Sequence, residues 1–432
     1  MLKVNILGGG VAGLCSALAL IRRAGLKEVK VFEQSSSLEL SERTGHGLML
    51  MQNGMEVLET LQLSHLFDQS TALKQAVFQN REGDVIRTER LNNVYCMTRA
   101  AITEGLRAAL PSDVMVLDHA CKQVDIEPIY MKQQLRSRQS HLFSGIAGWG
   151  QKKVPSSLLP PHQGRYVRQV SFEGGSTLDH TSADLFIGAE GWRSPICYAL
   201  NPGLERPFSR VLEIVTSTHM PDLAAKLGSR FIKTMFRQRG VAFGLLAPTT
   251  DQVIGFLQFD SLRYPAPARH ATEQEIRYFL QAILKGAPEP IPMYLRRANF
   301  SNAHLWRPVD ADIPSTLHCE NAVLIGDAAH PMLPFSSQGV SAALEDAILL
   351  ADALQNCERT GATLSSTLCE FSQKRRRELH TYMHGGRQIL NNFLDTSAGL
   401  IPSYVDGAAS RIKEYLSGGS QPTPYVPSAM AA

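Results

Sequence analysis

Residues 2 to 7, LKVNIL, form a short apolar run that leads directly into Gly8-Gly9-Gly10-Val11-Ala12-Gly13 and then into the apolar-rich stretch Leu14 to Ala24. Strand, glycine turn and helix in that order leave few architectures open. Gly8, Gly10 and Gly13 fill the GxGxxG positions, which permit a tight turn, close approach of a pyrophosphate to the backbone, and close packing of helix on strand. A second strand, Val29 to Phe32, ends in Glu33, whose carboxylate stands where an adenosine ribose offers two hydroxyls. The unit predicts a Rossmann-like α/β sheet that binds a dinucleotide.

A second cradle follows much later. Ala322 to Ile325 is a brief apolar strand ended by Gly326-Asp327-Ala328-Ala329, with side chains small enough for a ligand to lie against the backbone. Asp327 is the strong acceptor at that strand's end, suited to a sugar-alcohol hydroxyl. Pro331 and Pro334 stiffen the next loop, and Ser336 and Ser337 are N-cap candidates. Val340, Leu344, Ala347, Ile348 and Ala351 repeat at helical spacing, so a helix begins near Gln338-Gly339. Its free N–H groups and positive dipole end favour an anion or an electron-rich carbonyl in front of it.

Between the cradles the texture changes twice. Met55, Val57, Leu58 and Leu61 mark an amphipathic helix after the Gly45-His46-Gly47 turn, in which His46 reads as an ordinary loop histidine. Ala76 to Tyr95 alternates around Glu82-Gly83-Asp84 as a β-hairpin, and a helix with Ile102, Leu106 and Leu110 on one face starts near Arg99. Residues 130–165 are polar and aperiodic, an insertion or flap; the Gly145 to Gly150 glycines inside it are followed by no helix and are a decoy. Strands Tyr166 to Phe172 and Asp184 to Ile187 lead to Gly188-Ala189-Glu190-Gly191. From about Pro207 to Leu305 β segments dominate, notably Arg230 to Arg237, Val241 to Leu246 and Gln252 to Asp260, with one helix at Glu273 to Leu284. Leu364 to Leu394 and Ala408 to Leu416 read as helices.

These readings predict an α/β fold: a Rossmann-like dinucleotide-binding domain from 1–75, 96–206 and 306–360, with an inserted, mostly antiparallel β domain from 76–95 and 207–305, one face of which could roof a pocket. C-terminal helices occupy 361–416, and 417–432 is a loose Gly/Pro/Ser tail. A chain of 432 residues with 43 Lys and Arg against 40 Asp and Glu has a net charge of +3, which gives no electrostatic case for nucleic acid or an anionic membrane. Lys374 to Arg377 reads as the solvated face of a helix. Seven scattered cysteines without a CxxC argue against a disulfide framework or a metal site and for a reducing, cytoplasmic compartment. The apolar run Val11 to Ile21 is too short to span a bilayer and lacks a cleavage-type flank, so neither a signal peptide nor an integral membrane segment is expected.

Three motifs in this order resemble the single-component, FAD-dependent aromatic monooxygenases of the para-hydroxybenzoate hydroxylase type. They are Gly8/Gly10/Gly13 with Glu33, the Gly188 to Gly191 loop, and Gly326-Asp327-Ala-Ala-His-Pro331 followed by Pro334, Gln338 and Gly339. The resemblance implies that Glu33 holds the adenosine ribose, that Gly47 and Arg99 lie along the FAD, and that Asp327 binds its ribityl chain. It also implies that the segment from Pro334 through Gly339 to Val340 flanks the isoalloxazine ring. NADPH or NADH would reduce the flavin without a second Rossmann domain. Dioxygen would then add to form a flavin hydroperoxide that hydroxylates or epoxidises a small aromatic or conjugated substrate, with the helix near Gln338 stabilising negative charge on the reduced ring. A monomer or homodimer is expected.

Two positions depart from the family pattern. Glu190 stands where Asp is usual, and Cys197 where an arginine is usual, with Arg193 as a nearby substitute. A flavin-dependent halogenase or reductase shares the fingerprint, but the Trp-x-Trp-x-Ile-Pro signature of tryptophan-type halogenases is absent from the chain. A flavin-binding regulator without turnover is the rival from another class. No catalytic base can be singled out in the β domain from the sequence.

Overall fold

The computed structural model describes residues 2–37, 39, 46–129, 164–236 and 240–395. One sheet runs in the order His318–Cys319, Ala322–Leu324, Leu185–Gly188, Lys3–Leu7, Glu28–Phe32 and Met115–Val116. Its neighbours are parallel except for the first two strands, which form a hairpin. Side chains alternate across it with period two. Val4, Ile6, Val29, Val31, Leu185, Ile187 and Val323 pack with the helices Val11–Arg22 and Gly339–Thr360. Leu7, Phe32, Phe186, Ala322 and Leu324 point the other way. A sheet covered on both faces explains why its strands read as apolar runs.

The second cover is an antiparallel sheet of Thr177–Asp179, Arg165–Phe172 and Cys121–Pro128, which brings Val124, Val167, Val170 and Phe172 onto Leu7 and Phe32. Only Val124 and Ile126 break the polar run of Cys121–Pro128, so its sequence hardly announces a strand. Val11–Arg22 is buried at every position from Val11 to Leu20 because it lies between the parallel sheet and Gly339–Thr360.

A seven-stranded sheet has the order His304–Trp306, Val211–His219, Gln252–Asp260, Val241–Leu246, Arg230–Phe236, Gln75–Gln79 and Val85–Arg90. It is antiparallel except where Arg230–Phe236 meets Gln75–Gln79, the inner strand of the expected hairpin. Leu212, Ile214, Phe243, Leu257 and Phe259 bury one face under Pro221–Leu227, Glu273–Ile283 and Ile291–Arg297. The other face carries Val215, Leu246, Ile254 and Phe231, and by register also Glu213, Gln258 and Lys233. A small sheet of Gly47–Leu50, Tyr95–Thr98 and Thr71–Ala72 adjoins it. There a Cβ on Gly47 would lie 1.8 Å from Ile254 Cδ1, so only glycine allows that contact.

Helices Gln52–Thr60, Arg99–Ala108, Glu273–Ile283 and Leu364–Leu394 form where their apolar spacing places them. The expected helix at 408–416, the tail, almost all of 130–165 and its decoy glycines lie outside the described residues. No helix among the described residues is long and apolar enough to cross a membrane.

Two expectations need correction. Neither Ser336 nor Ser337 caps the helix: Pro334–Ser336 forms a tight turn, Ser337 takes a left-handed φ of 54°, and Gln338 precedes Gly339–Thr360 with no side-chain cap. Lys374 to Arg377 is not simply a solvated face, because Arg375 is 2% exposed. Its Nε donates to Asp346 Oδ1 at 2.7 Å, Nη1 to Glu378 at 2.6 Å and Nη2 to the Ala342 carbonyl at 3.1 Å. Asp346 also accepts the Gly326 N–H at 2.8 Å and has His330 Nε2 at 2.6 Å. The carboxylate therefore ties the Gly326 to His330 loop to both long helices.

These donors outweigh burial and hold the Asp346 carboxyl down at about 2. Asp346→Ala should lower the unfolding free energy by about 3 to 5 kcal/mol in denaturant titrations, because it strips the buried Arg375 Nε, the Gly326 N–H and His330 of their shared acceptor, although Glu378 still pairs with Arg375. A carboxyl held low contributes fully above its ordinary 3.8 and loses that contribution as the pH falls through about 2, so the gap between wild type and variant should close over that interval. A variant as stable as wild type at neutral pH would contradict this account.

Candidate functional site

Three loops leave the carboxyl ends of adjacent parallel strands: 8–13 after Lys3–Leu7, 189–194 after Leu185–Gly188, and 325–331 after Ala322–Leu324. That edge is where open parallel sheets hold ligands. Two cavities open there, of about 580 Å³ and about 250 Å³, and they share Gly10, Arg99, Ala189 and Gly191 as common wall. The larger takes in Gly8, Gly10, Glu33, Arg99 and Glu190. The smaller takes in Gly47, Asp327, Pro334, Gly339 and Val340 below and the free face of the seven-stranded sheet above.

The glycines divide the work by geometry. Gly8 has φ +100°, and a Cβ there would meet the Ala189 carbonyl oxygen at 2.4 Å; a Cβ on Gly13 would lie 1.9 Å from the Gly8 oxygen. Those two close the turn and seat the helix. A Cβ on Gly10 meets nothing within 4 Å and would project into open space that both cavities share. Gly326 packs against Ala12, joining the late loop to the early helix.

Helices Val11–Arg22 and Gly339–Thr360 both begin at this cleft without a side-chain cap. Two sets of free N–H groups and two positive dipole ends thus face one space. Arg99 is exposed at the junction and makes no ion pair among the described residues. Glu33 is buried, and its oxygens accept the Gly9 N–H at 2.7 Å and the Ser35 N–H at 3.1 Å. Carboxylate oxygens have lone pairs beyond one bond each, so a held Glu33 still accepts from a diol. Asp327 is open to the recess although the protein crowds around it and burial raises its carboxyl. Phosphate, ribose and polyol of a flavin dinucleotide match this donor and acceptor set, and the open space before Gly10 admits them.

Beside Cys197 stands a residue that the sequence did not single out. Arg206 is buried and reaches Cys197 Sγ at 3.0 Å, the Trp192 carbonyl at 2.5 Å, the Asp327 carbonyl at 3.2 Å and the Ala328 carbonyl at 2.6 Å. It clamps the second loop to the third. The Arg193 guanidinium lies 4.4 Å over the Trp192 ring. Glu190 turns into its own loop and accepts the Ser194 hydroxyl at 2.7 Å, and burial pushes its carboxyl up to about 7. His46 is partly buried, stacked 5.6 Å from the His304 ring, and pushed down to about 4 by burial and by His304.

The roof of the smaller cavity was also unread. Glu213 Oε2 accepts from Gln258 Nε2 at 2.8 Å, with Lys233 on the same sheet face. Each is the lone charged or amide residue in an apolar stretch, VLEIV, GFLQF and FIKTM, on three strands of one sheet. That repetition was the available signal.

A sequence profile described as "FAD binding domain" matches residues 1–383. The aurachin C monooxygenase/isomerase of Stigmatella aurantiaca is 26% identical over 389 residues, covering 90% of this chain and 88% of its own. The 3-amino-4-hydroxybenzoate 2-monooxygenase of Streptomyces cremeus is 26% identical over 382 residues, covering 82% and 78%. Among solved structures, Klebsiella pneumoniae HpxO with FAD and uric acid has the same fold, with a TM-score of 0.70 at 16% identity over 97% of this chain and 93% of that one.

Gly10→Leu separates folding from ligand uptake. The added side chain meets no protein atom within 4 Å at its Cβ, so the melting temperature of the ligand-free chain should stay within about 2 °C of wild type. Binding of added FAD, followed by fluorescence quenching, should be lost. Tight FAD binding by a folded Gly10→Leu protein would place the pyrophosphate elsewhere.

Proposed function

The chain belongs to the FAD-binding domain family, among the aromatic monooxygenases that its motifs resemble, and from that membership we propose how its residues divide the reaction. The enzyme is an FAD-dependent monooxygenase. We infer a small aromatic or conjugated substrate, hydroxylated or epoxidised with dioxygen and with NADPH or NADH as reductant. The observation that carries the reading is the convergence of two uncapped helix starts, Arg99, Glu33 and Asp327 on one cleft roofed by a mainly apolar sheet face.

FAD, when bound, would supply the redox chemistry between a nicotinamide and dioxygen. Glu33 holds the adenosine ribose, the N–H groups after Gly10 and the Arg99 guanidinium hold the pyrophosphate, and Asp327 takes a hydroxyl of the ribityl chain. The start of Gly339–Thr360 lines the smaller cavity, and its free N–H groups would favour negative charge on a flavin held there. Val215, Ile254 and Phe256 keep bulk water off the reacting face. The seven-stranded sheet is thus the substrate-binding part, and the parallel sheet the cofactor-binding part. Seven free thiols, four of them buried, support a cytoplasmic setting.

The purified protein should be yellow and should consume dioxygen and NADPH or NADH faster when a suitable aromatic compound is added. Oxygen uptake unaffected by every member of a broad aromatic panel would refute the oxygenase reading. Asp327→Ala should weaken FAD binding by about tenfold to a hundredfold, the loss of one charge-assisted hydrogen bond. Equal affinity in equilibrium titrations would make Asp327 a structural residue only.

A further inference from the structure

The free face of the seven-stranded sheet contains a polar pair that the FAD site does not use. Val211 to Thr216 is buried at every position, and Glu213 sits within it at 7% exposure. A carboxylate in such a strand is costly unless its hydrogen bonds are met. Gln258 Nε2 meets one oxygen at 2.8 Å, while the other accepts nothing from a described residue. Gln258 Oε1 is likewise buried without a partner. Both residues line the smaller cavity beside Val215, Ile254 and Phe256. A carboxylate oxygen without a described donor, at the wall of a mainly apolar recess, calls for a ligand that brings one.

We infer that Glu213, oriented by Gln258, receives the substrate: it accepts a hydrogen bond from a phenolic O–H or aromatic N–H of a flat, uncharged ring and takes that proton as the ring is oxygenated. The inference rests on the monooxygenase reading above and adds the recognised group. In the proton step the substrate O–H or N–H bond breaks, a Glu213 O–H bond forms, and the electron pair stays on the substrate, enriching the ring carbons. No oxidant enters that step. A substrate carboxylate at this end would meet the Glu213 charge in a poorly screened recess and be rejected.

The electrostatics suit this role. Burial pushes Glu213 up to about 7, against the bond from Gln258 and the charge of Lys233; burial brings Lys233 down to about 8. A proton acceptor near neutrality is effective without being permanently charged. Lys233 faces Glu213 from its own sheet, and Arg99 and Asp327 stand on the cavity's other walls. Phe335 from the late loop and Leu390 and Phe393 from the last helix pack on this side with apolar side chains.

The test uses the oxidised, FAD-loaded protein without nicotinamide, titrated with β-naphthol, its methyl ether and β-naphthoate and read by flavin absorbance changes. Wild type should bind β-naphthol about tenfold tighter than the ether and β-naphthoate weakest, and the preference for naphthol should grow with pH around a midpoint near 7. Glu213→Gln should bind FAD normally, lose the pH dependence and admit β-naphthoate more readily. Glu213→Met should bring naphthol and ether to within about twofold of each other. Should Glu213→Met fail to hold FAD, the pH profile of Glu213→Gln decides alone. Wild type that does not prefer naphthol, or a Gln variant with the wild-type pH profile, would overturn the inference. Because no turnover is involved, absent oxygen uptake would sink the oxygenase reading and leave this outcome standing on its own.

Discussion

The buried contact between Asp346 and the loop before it is the constraint on which the site depends. One carboxylate receives the Gly326 N–H, His330 and Arg375, and these come from a loop and from the last long helix. The arrangement fixes where Asp327 stands and where Gly339–Thr360 begins, so the carboxylate facing the cleft and the open helix start are set by one facing away from it. Buried ion pairs add little to stability when compared with apolar replacements, but they specify one arrangement over its alternatives. Arg206 does the corresponding work between the second and third loops by binding three carbonyls at once.

Two sheets with different chemistry meet at the cleft. The parallel sheet offers backbone: loop N–H groups, helix starts and a few carboxylates, a chemistry that suits phosphate and sugar. The seven-stranded sheet offers side chains from one face, apolar around Val215, Leu246, Ile254 and Phe231 and polar at the Glu213, Gln258 and Lys233 set. The division suits a fold in which the cofactor site is general and the substrate site is particular, since strand side chains change without disturbing hydrogen-bonded ladders.

What was legible in the sequence follows from range. Glycine turns, strand alternation and helical spacing are local, and they placed the fingerprint, the late cradle, the hairpin and most helices within a residue or two. The strand Cys121–Pro128 escaped because its polar composition reflects an exposed sheet side. Arg375 was read as solvated because its neighbours Lys374 and Arg377 are exposed, and nothing local tells that a helix rotates one guanidinium toward Asp346, 29 positions earlier. Arg206 was missed for the same reason: its partners are carbonyls, which leave no trace in composition. Ser336 and Ser337 had the right chemistry for caps, but Pro334 starts a turn of its own and displaces the helix start past them.

The contact between Gly47 and Ile254 has a bearing on how such enzymes diversify. The strand that carries Gly47 belongs to the small sheet beside the cofactor cleft, whereas Ile254 belongs to the sheet that roofs the substrate cavity, and the two fit only because one of them lacks a side chain. The roof is also stitched to the early chain by the parallel pairing of Gln75–Gln79 with Arg230–Phe236. Recombining the roof of one relative with the base of another therefore requires that both seams travel together. A chimaera cut at the chain crossings alone would divide the pairing of Gln75–Gln79 with Arg230–Phe236 and leave the Gly47–Ile254 fit to chance.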